Sequence, residues 1–115
     1  MTVKKGTQAA NLPGKINIDV DPATVKPGER YTVRISMRNE GDAPIQVQEM
    51  IVKTTVNGRA FTGPVPPLVK DVAPQQKAML REVSDLWKED TTSWRMEVTV
   101  KTARGETYTN EVTWR

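Results

Sequence analysis

The stretch from Val25 to Asp42 reads V-K-P-G-E-R-Y-T-V-R-I-S-M-R-N-E-G-D, and it decides the fold. Apolar side chains recur at every second position of its centre, at Tyr31, Val33, Ile35 and Met37. The polar side chains between them are Arg30, Thr32, Arg34, Ser36 and Arg38. Because successive side chains of a strand leave on opposite faces, this period of two predicts a strand with one buried and one solvated face. Pro27-Gly28 predicts a turn before the strand, and the segment 39–42 predicts one after it.

The same period recurs along the chain. The positions that it assigns to a buried face are Ile16, Ile18, Val20, Trp94, Met96, Val98, Val100, Tyr108, Val112 and Trp114. Between Ile45 and Val56 the alternation changes phase near Gln48-Glu49, which predicts a β-bulge or a switch between strands there. Asn57-Gly58 predicts a type I′ hairpin turn, with a return strand over 59–62. The proline-rich segment 63–67 cannot be a central strand, so it is predicted to be a loop or an edge crossing between sheets.

The segment from Gln75 to Asp90 fits two structures. Its apolar residues fall at i, i+1, i+4, i+7 and i+8, the spacing of an amphipathic helix, and are Met79, Leu80, Val83, Leu86 and Trp87. Pro74 suits a helix start. A sandwich, however, needs a strand here to connect its two layers, and tertiary demand overrides local pattern. We favour the strand and leave the helix as the alternative.

Length and charge place these elements in one domain. A chain of 115 residues has the size of a single domain with its own core. Residues 1–14 are polar and predict a flexible N-terminal arm or linker, and residues 15–115 the folded domain. Residues 1–15 contain three lysines and no acid, which equals the net charge of +3 and leaves 14 basic and 14 acidic side chains in 16–115. Because the folded part is neutral, nucleic-acid binding is not predicted.

These elements predict an all-β fold, an immunoglobulin-like antiparallel β-sandwich of about seven strands in two sheets. The run P-G-E-R-Y-T-V-R-I-S-M-R-N-E-G-D-A-P-I from Pro27 to Ile45 resembles the first half of bacterial immunoglobulin-like modules of the CARDB (cell-adhesion-related) family. Val72 to Leu80 is similar to a later turn and strand of that family, with Gln75 in place of its glycine. The resemblance implies a spacer or adhesive module of a multidomain protein and no catalytic activity.

Catalysis, metal binding and cofactors are not predicted. The chain has neither cysteine nor histidine, and its serines stand in no nucleophile motif. Asp19 and Asp21 share a strand face, but a solvated face explains this carboxylate pair better than a glycosidase cleft. Oxygen donors for calcium are present, but without the spacing of a calcium loop. No apolar run has the ~20 residues of a membrane span, so direct membrane insertion is not predicted, and the N-terminus lacks the apolar core of a secretory signal.

Candidate contact residues come from the aromatic side chains. Trp94 and Trp114 have the inward parity and are predicted to pack in the core. Arg59 and Phe61 fall on one face beside the Asn57-Gly58 turn, where an aromatic and an arginine can anchor a partner protein or stack on a sugar. Together with Trp87 they form the predicted contact set. The alternative interpretation is purely structural, namely that Phe61 fills the edge of the sandwich and contacts no partner.

The sequence favours a non-enzymatic binding or spacer module of a larger bacterial envelope or secreted protein, with protein or neighbouring domains as partners. One alternative is a carbohydrate-binding module that holds polysaccharide on exposed aromatic rings. Another is an intracellular adaptor whose basic arm, residues 1–15, meets an acidic partner. The outer face of the central strand, with Arg34 and Arg38 flanking Ser36, is predicted to be solvated, and a surface for an acidic partner is the minority hypothesis.

Overall fold

The structure, a computed structural model, describes residues 3–5, 13–24 and 26–114. In these residues the chain forms β-strands and no helix. The strands are β1 (Val3–Lys5), β2 (Gly14–Asp21), β3 (Arg30–Asn39), β4 (Ile45–Val56), β5 (Arg59–Pro64), β6 (Asp71–Val72), β7 (Lys77–Leu86), β8 (Trp94–Thr102) and β9 (Thr107–Trp114). Most of the predicted arm, residues 1–14, lies outside the described residues. Val3–Lys5 pairs with β9, and Gly14 is the first residue of β2.

The strands form two antiparallel sheets. One has the order β1-β9-β8-β4-β5, with β6 pairing with the start of β4. The other has the order β2-β3-β7. The buried apolar side chains of both sheets form one cluster between them. The chain is therefore an immunoglobulin-like antiparallel β-sandwich, as the alternation predicted.

The side chains that the period of two assigned to the inner face are buried or half-buried. On β3 the residues Val33, Ile35 and Met37 are buried, and Tyr31 is half-buried. Trp94 and Trp114 pair with each other across β8 and β9 and are both buried, which confirms the prediction of core packing. The sheets are also joined by a polar contact, because the Asn110 side chain on β9 donates a 2.7 Å hydrogen bond to the carbonyl of Ile16 on β2.

Two local irregularities of β4 were predicted and are present. The pairing of β4 with β8 shifts register between Val47 and Glu49, which is the expected bulge. Asn57 and Gly58 connect β4 to β5 with positive φ angles of 50° and 83°, as a type I′ turn requires. β5 runs to Pro64, two residues beyond the predicted return strand, and it stays at the edge of its sheet, where a proline is tolerated.

The segment with two possible structures is the strand β7, so the favoured prediction is confirmed. Its pairing with β3 shifts register opposite Ile35 and Ser36, whose partners are Arg81 and Met79. Leu80 is the extra residue of this bulge and is fully buried. The bulge interrupts the alternation of β7, which is why the sequence resembles an amphipathic helix there.

The turn after β3 is held by the side chain of Asn39, which is fully buried. Its amide nitrogen donates hydrogen bonds to the carbonyls of Ala43 at 2.7 Å and Val72 at 3.0 Å. Its amide oxygen accepts one from the N–H of Gly41 at 2.9 Å. Asn39 thus joins the turn to β6 in the other sheet.

Candidate functional site

One side of the sandwich is closed over only part of its length. The segment after β5 crosses from one sheet to the other, because the Val65 N–H donates to the carbonyl of Met50 and the Leu68 N–H to that of Leu80, each at 2.8 Å. Residues 65–67 form an edge crossing, one of the two structures predicted for 63–67, while Gly63 and Pro64 belong to β5. Beyond Leu80, no described strand covers the gap between β5 and the second half of β7.

This gap is a cleft of about 320 Å³, which we call the lateral cleft. Its lining comes from both sheets and from the loop after β7, and consists of Tyr31, Val56, Asn57, Arg59, Phe61, Asp85, Leu86, Trp87, Lys88, Asp90, Thr91 and Trp94. The three predicted contact residues Arg59, Phe61 and Trp87 are all among them. The fold therefore brings together side chains that are far apart in sequence.

The wall on β5 is made by side chains that point to the interior side of the sheet. Arg59 pairs with Val56 and Phe61 with Thr54, and paired residues of antiparallel strands project on the same face. Phe61 nevertheless has 65% of its surface exposed, because no strand of the other sheet lies opposite it. The interpretation that Phe61 fills the sandwich edge is therefore wrong.

The strand β7, which lines the cleft with Asp85 and Leu86, shows the same property two residues before Asp85. Val83 pairs with Val33, which is 1% exposed and in the core, so both side chains lie on the inner face. Val83 is still 38% exposed, and Leu86, which pairs with Arg30 on the outer face, is 53% exposed. An apolar inner-face side chain thus remains accessible on each of the two strands beside the opening, Phe61 on β5 and Val83 on β7.

The floor of the lateral cleft is aromatic. The ring of Trp87 lies 5.0 Å from that of Tyr31, 5.6 Å from that of Trp94 and 4.6 Å from that of Trp114, with edge-on or tilted geometry. Trp87 is only 2% exposed. Phe61 is thus the exposed aromatic side chain of the predicted set, and the row of exposed rings that a sugar platform needs is not formed by the described residues.

The rim beside the turn is fixed by hydrogen bonds of Asn57. Its side-chain oxygen accepts from the N–H of Thr92 at 2.7 Å and from that of Ser93 at 3.2 Å. Its amide nitrogen donates to the carbonyl of Asp90 at 3.0 Å. The loop that borders the cleft is therefore tied to the β4–β5 turn, and the opening has a defined shape before anything binds.

The charges at the rim balance. Arg59 and Lys88 are cationic, and Asp85 and Asp90 are anionic. None of the four forms an ion pair with another described residue. Burial, followed by the charge of Asp85, raises the pKa of the Tyr31 phenol above its ordinary value, so the floor is uncharged at neutral pH. The surface suits a polar but uncharged ligand with apolar groups.

The sequence pattern did not indicate that Tyr31, Asp85, Leu86 and Asp90 line the cleft. Tyr31 shares the inward parity of β3 and was assigned to the core. The other three lie in or just after a strand whose bulge the sequence does not reveal. The sequence carries no signal for these contributions, because exposure depends on which strand lies opposite in the folded chain.

The remaining predicted features lie elsewhere. The Asp21 carboxylate lies 3.7 Å from the guanidinium of Arg34 on the outer face of β2 and β3. Residues that could hold a metal ion do not cluster anywhere in the described ranges. A larger cavity of about 470 Å³ lies at the other end of β8 between loops. It brings together none of the predicted contact residues.

No protein-family model and no curated protein matches this chain. Similar solved structures include a Northeast Structural Genomics Consortium target, at 16% identity and a TM-score of 0.59 over 88% of this chain and 82% of that one. The Bacillus subtilis sporulation control protein Spo0M is 8% identical, with a TM-score of 0.56 over 86% of this chain. The chain spans about half of Spo0M, 47% of its length.

A Niemann-Pick type C2 protein from the Japanese carpenter ant is 12% identical, with a TM-score of 0.51 over 93% of this chain and 95% of that one. At these identities the likeness shows a shared sandwich fold and no shared function. In the part of the chain that the structure describes, no helix has the length and hydropathy to cross a membrane.

Proposed function

We propose that this domain is a non-enzymatic protein-binding module and that the lateral cleft is its contact surface. The observation that carries this proposal is the 65% exposure of Phe61, a large apolar side chain on the inner face of its sheet. Inner-face side chains of a sandwich are normally covered by the opposite sheet. An uncovered aromatic side chain on the wall of a partly apolar cleft has the character of an interface anchor.

The occupant is an extended segment of a partner polypeptide. The backbone N–H of Trp87 donates to Glu29, and its carbonyl accepts from Gly28, so both backbone groups of Trp87 face β3. By the alternation of a strand, the backbone groups of Glu82 and Ser84 face the free edge of β7. A peptide strand can pair with such an edge while its alternate side chains reach Phe61 and Val83.

The wider role in a larger protein follows the resemblance to CARDB modules, which implies a spacer or adhesive unit of a bacterial envelope or secreted protein. The two roles are compatible, because a rigid sandwich can hold neighbouring domains apart and bind one segment at its side. Polysaccharide binding is the competing function. A single exposed ring beside Arg59 offers less stacking area than a row of rings.

The test is selection of linear peptides displayed on phage against the 115-residue chain, followed by affinity measurement on variants. We expect the selected peptides to lose more than about tenfold in affinity on Phe61→Ser, the loss that removal of an anchor side chain causes. Leu68→Ser is the matched control, because Leu68 is also 65% exposed but lies outside the cleft. Its affinity for the peptides should stay unchanged.

Three outcomes would overturn the proposal. One is that no peptide is selected, and another is that Phe61→Ser and Leu68→Ser weaken binding equally. The third is saturable binding of a polysaccharide panel with a shift of tryptophan fluorescence that Phe61→Ser abolishes, which would assign the cleft to carbohydrate.

A further inference from the structure

The outer face of the sheet β2-β3-β7 contains a depression of about 270 Å³ at its centre. Cross-strand pairing places Asn17, Ser36 and Met79 in one row across the three strands. Ser36 is the smallest side chain of this row and lies at its centre. Its long neighbours surround it, and the depression results from this difference in size.

The hydroxyl of Ser36 is buried without a partner. Ser36 is 4% exposed, although it lies on the solvated face of β3, and its oxygen makes no hydrogen bond to any described residue. Leaving a hydroxyl desolvated and unpaired costs stability. The flexible side chain of Met79 is 40% exposed and forms one wall of the depression.

Cations dominate the neighbouring row. Lys15, Arg38 and Lys77 are cross-strand partners, an arrangement of like charges that is unfavourable on a sheet. Glu40 compensates two of them, with oxygens 3.4 Å from the Lys15 ammonium and 3.6 Å from the Arg38 guanidinium. Lys77 forms no ion pair with the described residues, and it lines the depression.

On the other side of the depression the cation Arg34 is compensated by two carboxylates. Arg34 donates a 3.0 Å hydrogen bond to Glu82 and lies 3.7 Å from Asp21. Asp19 also lines the depression and has a partner of its own. Of the two cations that line the depression, Lys77 is therefore the one without an ion pair to a described residue.

We propose that this depression is a second binding site, separate from the lateral cleft, which takes a carboxylate on an aliphatic stem, as in a glutamate side chain of a partner polypeptide. The carboxylate accepts from Lys77 and from the Ser36 hydroxyl, and the stem packs on Met79. The apolar wall favours such a side chain over inorganic phosphate, which has no stem. The occupant turns an unpaired buried hydroxyl and an unpaired lysine into hydrogen-bonded groups.

The experiment is an NMR titration of the ¹⁵N-labelled 115-residue chain at low ionic strength with acetyl-Ala-Glu-Ala-amide. The neutral control is acetyl-Ala-Gln-Ala-amide, which differs by one carboxylate, and inorganic phosphate is the third ligand. We expect saturable shifts at Ser36, Lys77 and Met79 with the glutamate peptide, and none with the glutamine peptide. Phosphate should bind more weakly than the glutamate peptide.

Lys77→Gln should weaken the binding by about two- to fivefold, the range for a single exposed ion pair. Lys53→Gln is the matched control, because it also removes one positive charge. Lys53 is an exposed lysine on the outer face of the other sheet. Ser36→Ala should also weaken binding, without changing the fold.

The proposal is overturned if the glutamine peptide shifts the same residues or if no shift saturates. It is also overturned if Lys53→Gln weakens binding as much as Lys77→Gln, since net charge would then be the cause. Binding of phosphate alone would assign the site to a phosphate group. None of these results depends on the lateral cleft, so the two sites are tested independently.

Discussion

Asn39 shows how much one residue can contribute to this fold. The sequence places it at the end of a strand, where Asn favours a turn. In the structure it is fully buried, and its three hydrogen bonds connect the turn backbone with β6. Buried polar side chains that satisfy backbone groups are costly to remove, because those groups then lack partners.

Asn39→Ala should therefore lower the free energy of unfolding by about 2 kcal/mol. The measurement is chemical denaturation followed by tryptophan fluorescence. Asn17→Ala is the control, because Asn17 is half-buried on the outer face and should cost less than about 0.5 kcal/mol. Equal losses for the two variants would show that the hydrogen bonds of Asn39 do not hold the turn.

Gly14 is a second residue whose role depends on its surroundings in the folded chain. It is the last residue of the predicted arm, residues 1–14. In the structure it begins β2, and a Cβ at this position would lie 2.8 Å from the Met37 side chain and 2.9 Å from that of Ile45. The glycine is required because the strand approaches the core closely there, which no local pattern reveals.

At the scale of elements, β3 is the central strand of its sheet and pairs with both β2 and β7. Its inner face contributes Val33, Ile35 and Met37 to the core, and its outer face contributes Ser36 to the second proposed site. A one-residue change of register would exchange these faces. The alternation of this strand therefore fixes both the core and the position of that site.

Val33→Asp should unfold the domain, because Val33 is 1% exposed and an unpaired charge would be buried in a domain with about 5–15 kcal/mol of stability. Circular dichroism and the dispersion of the NMR spectrum measure the effect. Arg30→Asp places the same side chain on the exposed start of β3 and should stay folded. An unchanged melting temperature for Val33→Asp would contradict the assigned inner face.

At the scale of the whole molecule, the two sheets are held together by side chains that must stay uncharged. Tyr31 belongs to one sheet and Tyr108 to the other. Burial raises the pKa of both phenols above their ordinary value, with smaller contributions from Asp85 at Tyr31 and from Glu106 at Tyr108. The folded state thus keeps its phenolic protons at a pH where the unfolded chain loses them.

The sandwich should consequently lose stability in alkali. A folded pKa above the unfolded value of about 10 stabilises the fold fully below that pH, and this contribution is lost as the pH rises through the folded pKa. Denaturation midpoints at pH 8, 10 and 11 should fall, and Tyr108→Phe should make the fall shallower. If the variant and the wild type decline in parallel, Tyr108 does not contribute to this loss.

The local sequence pattern was sufficient to predict which face of each strand is buried. The period of two in β2, β3, β8 and β9 identified their buried side chains, because burial on one side of a sheet acts on every second residue. The Asn57-Gly58 turn and the bulge of β4 were also readable, since each depends on a few consecutive residues. The set of Arg59, Phe61 and Trp87 was chosen by chemistry, and the structure places all three at one cleft.

The sequence by itself determined a two-sheet sandwich and which side chains of its strands face inward. Only the tertiary structure decided that the crossing at Leu68 stops at Leu80, so that the walls of the lateral cleft remain uncovered. It also decided that Ser36 lies between longer side chains of two strands distant in sequence. The physical reason is that the alternation of apolar residues reflects which face of a single strand is buried. A cleft depends instead on which strands of the two sheets pack against each other, and at which residue that packing stops.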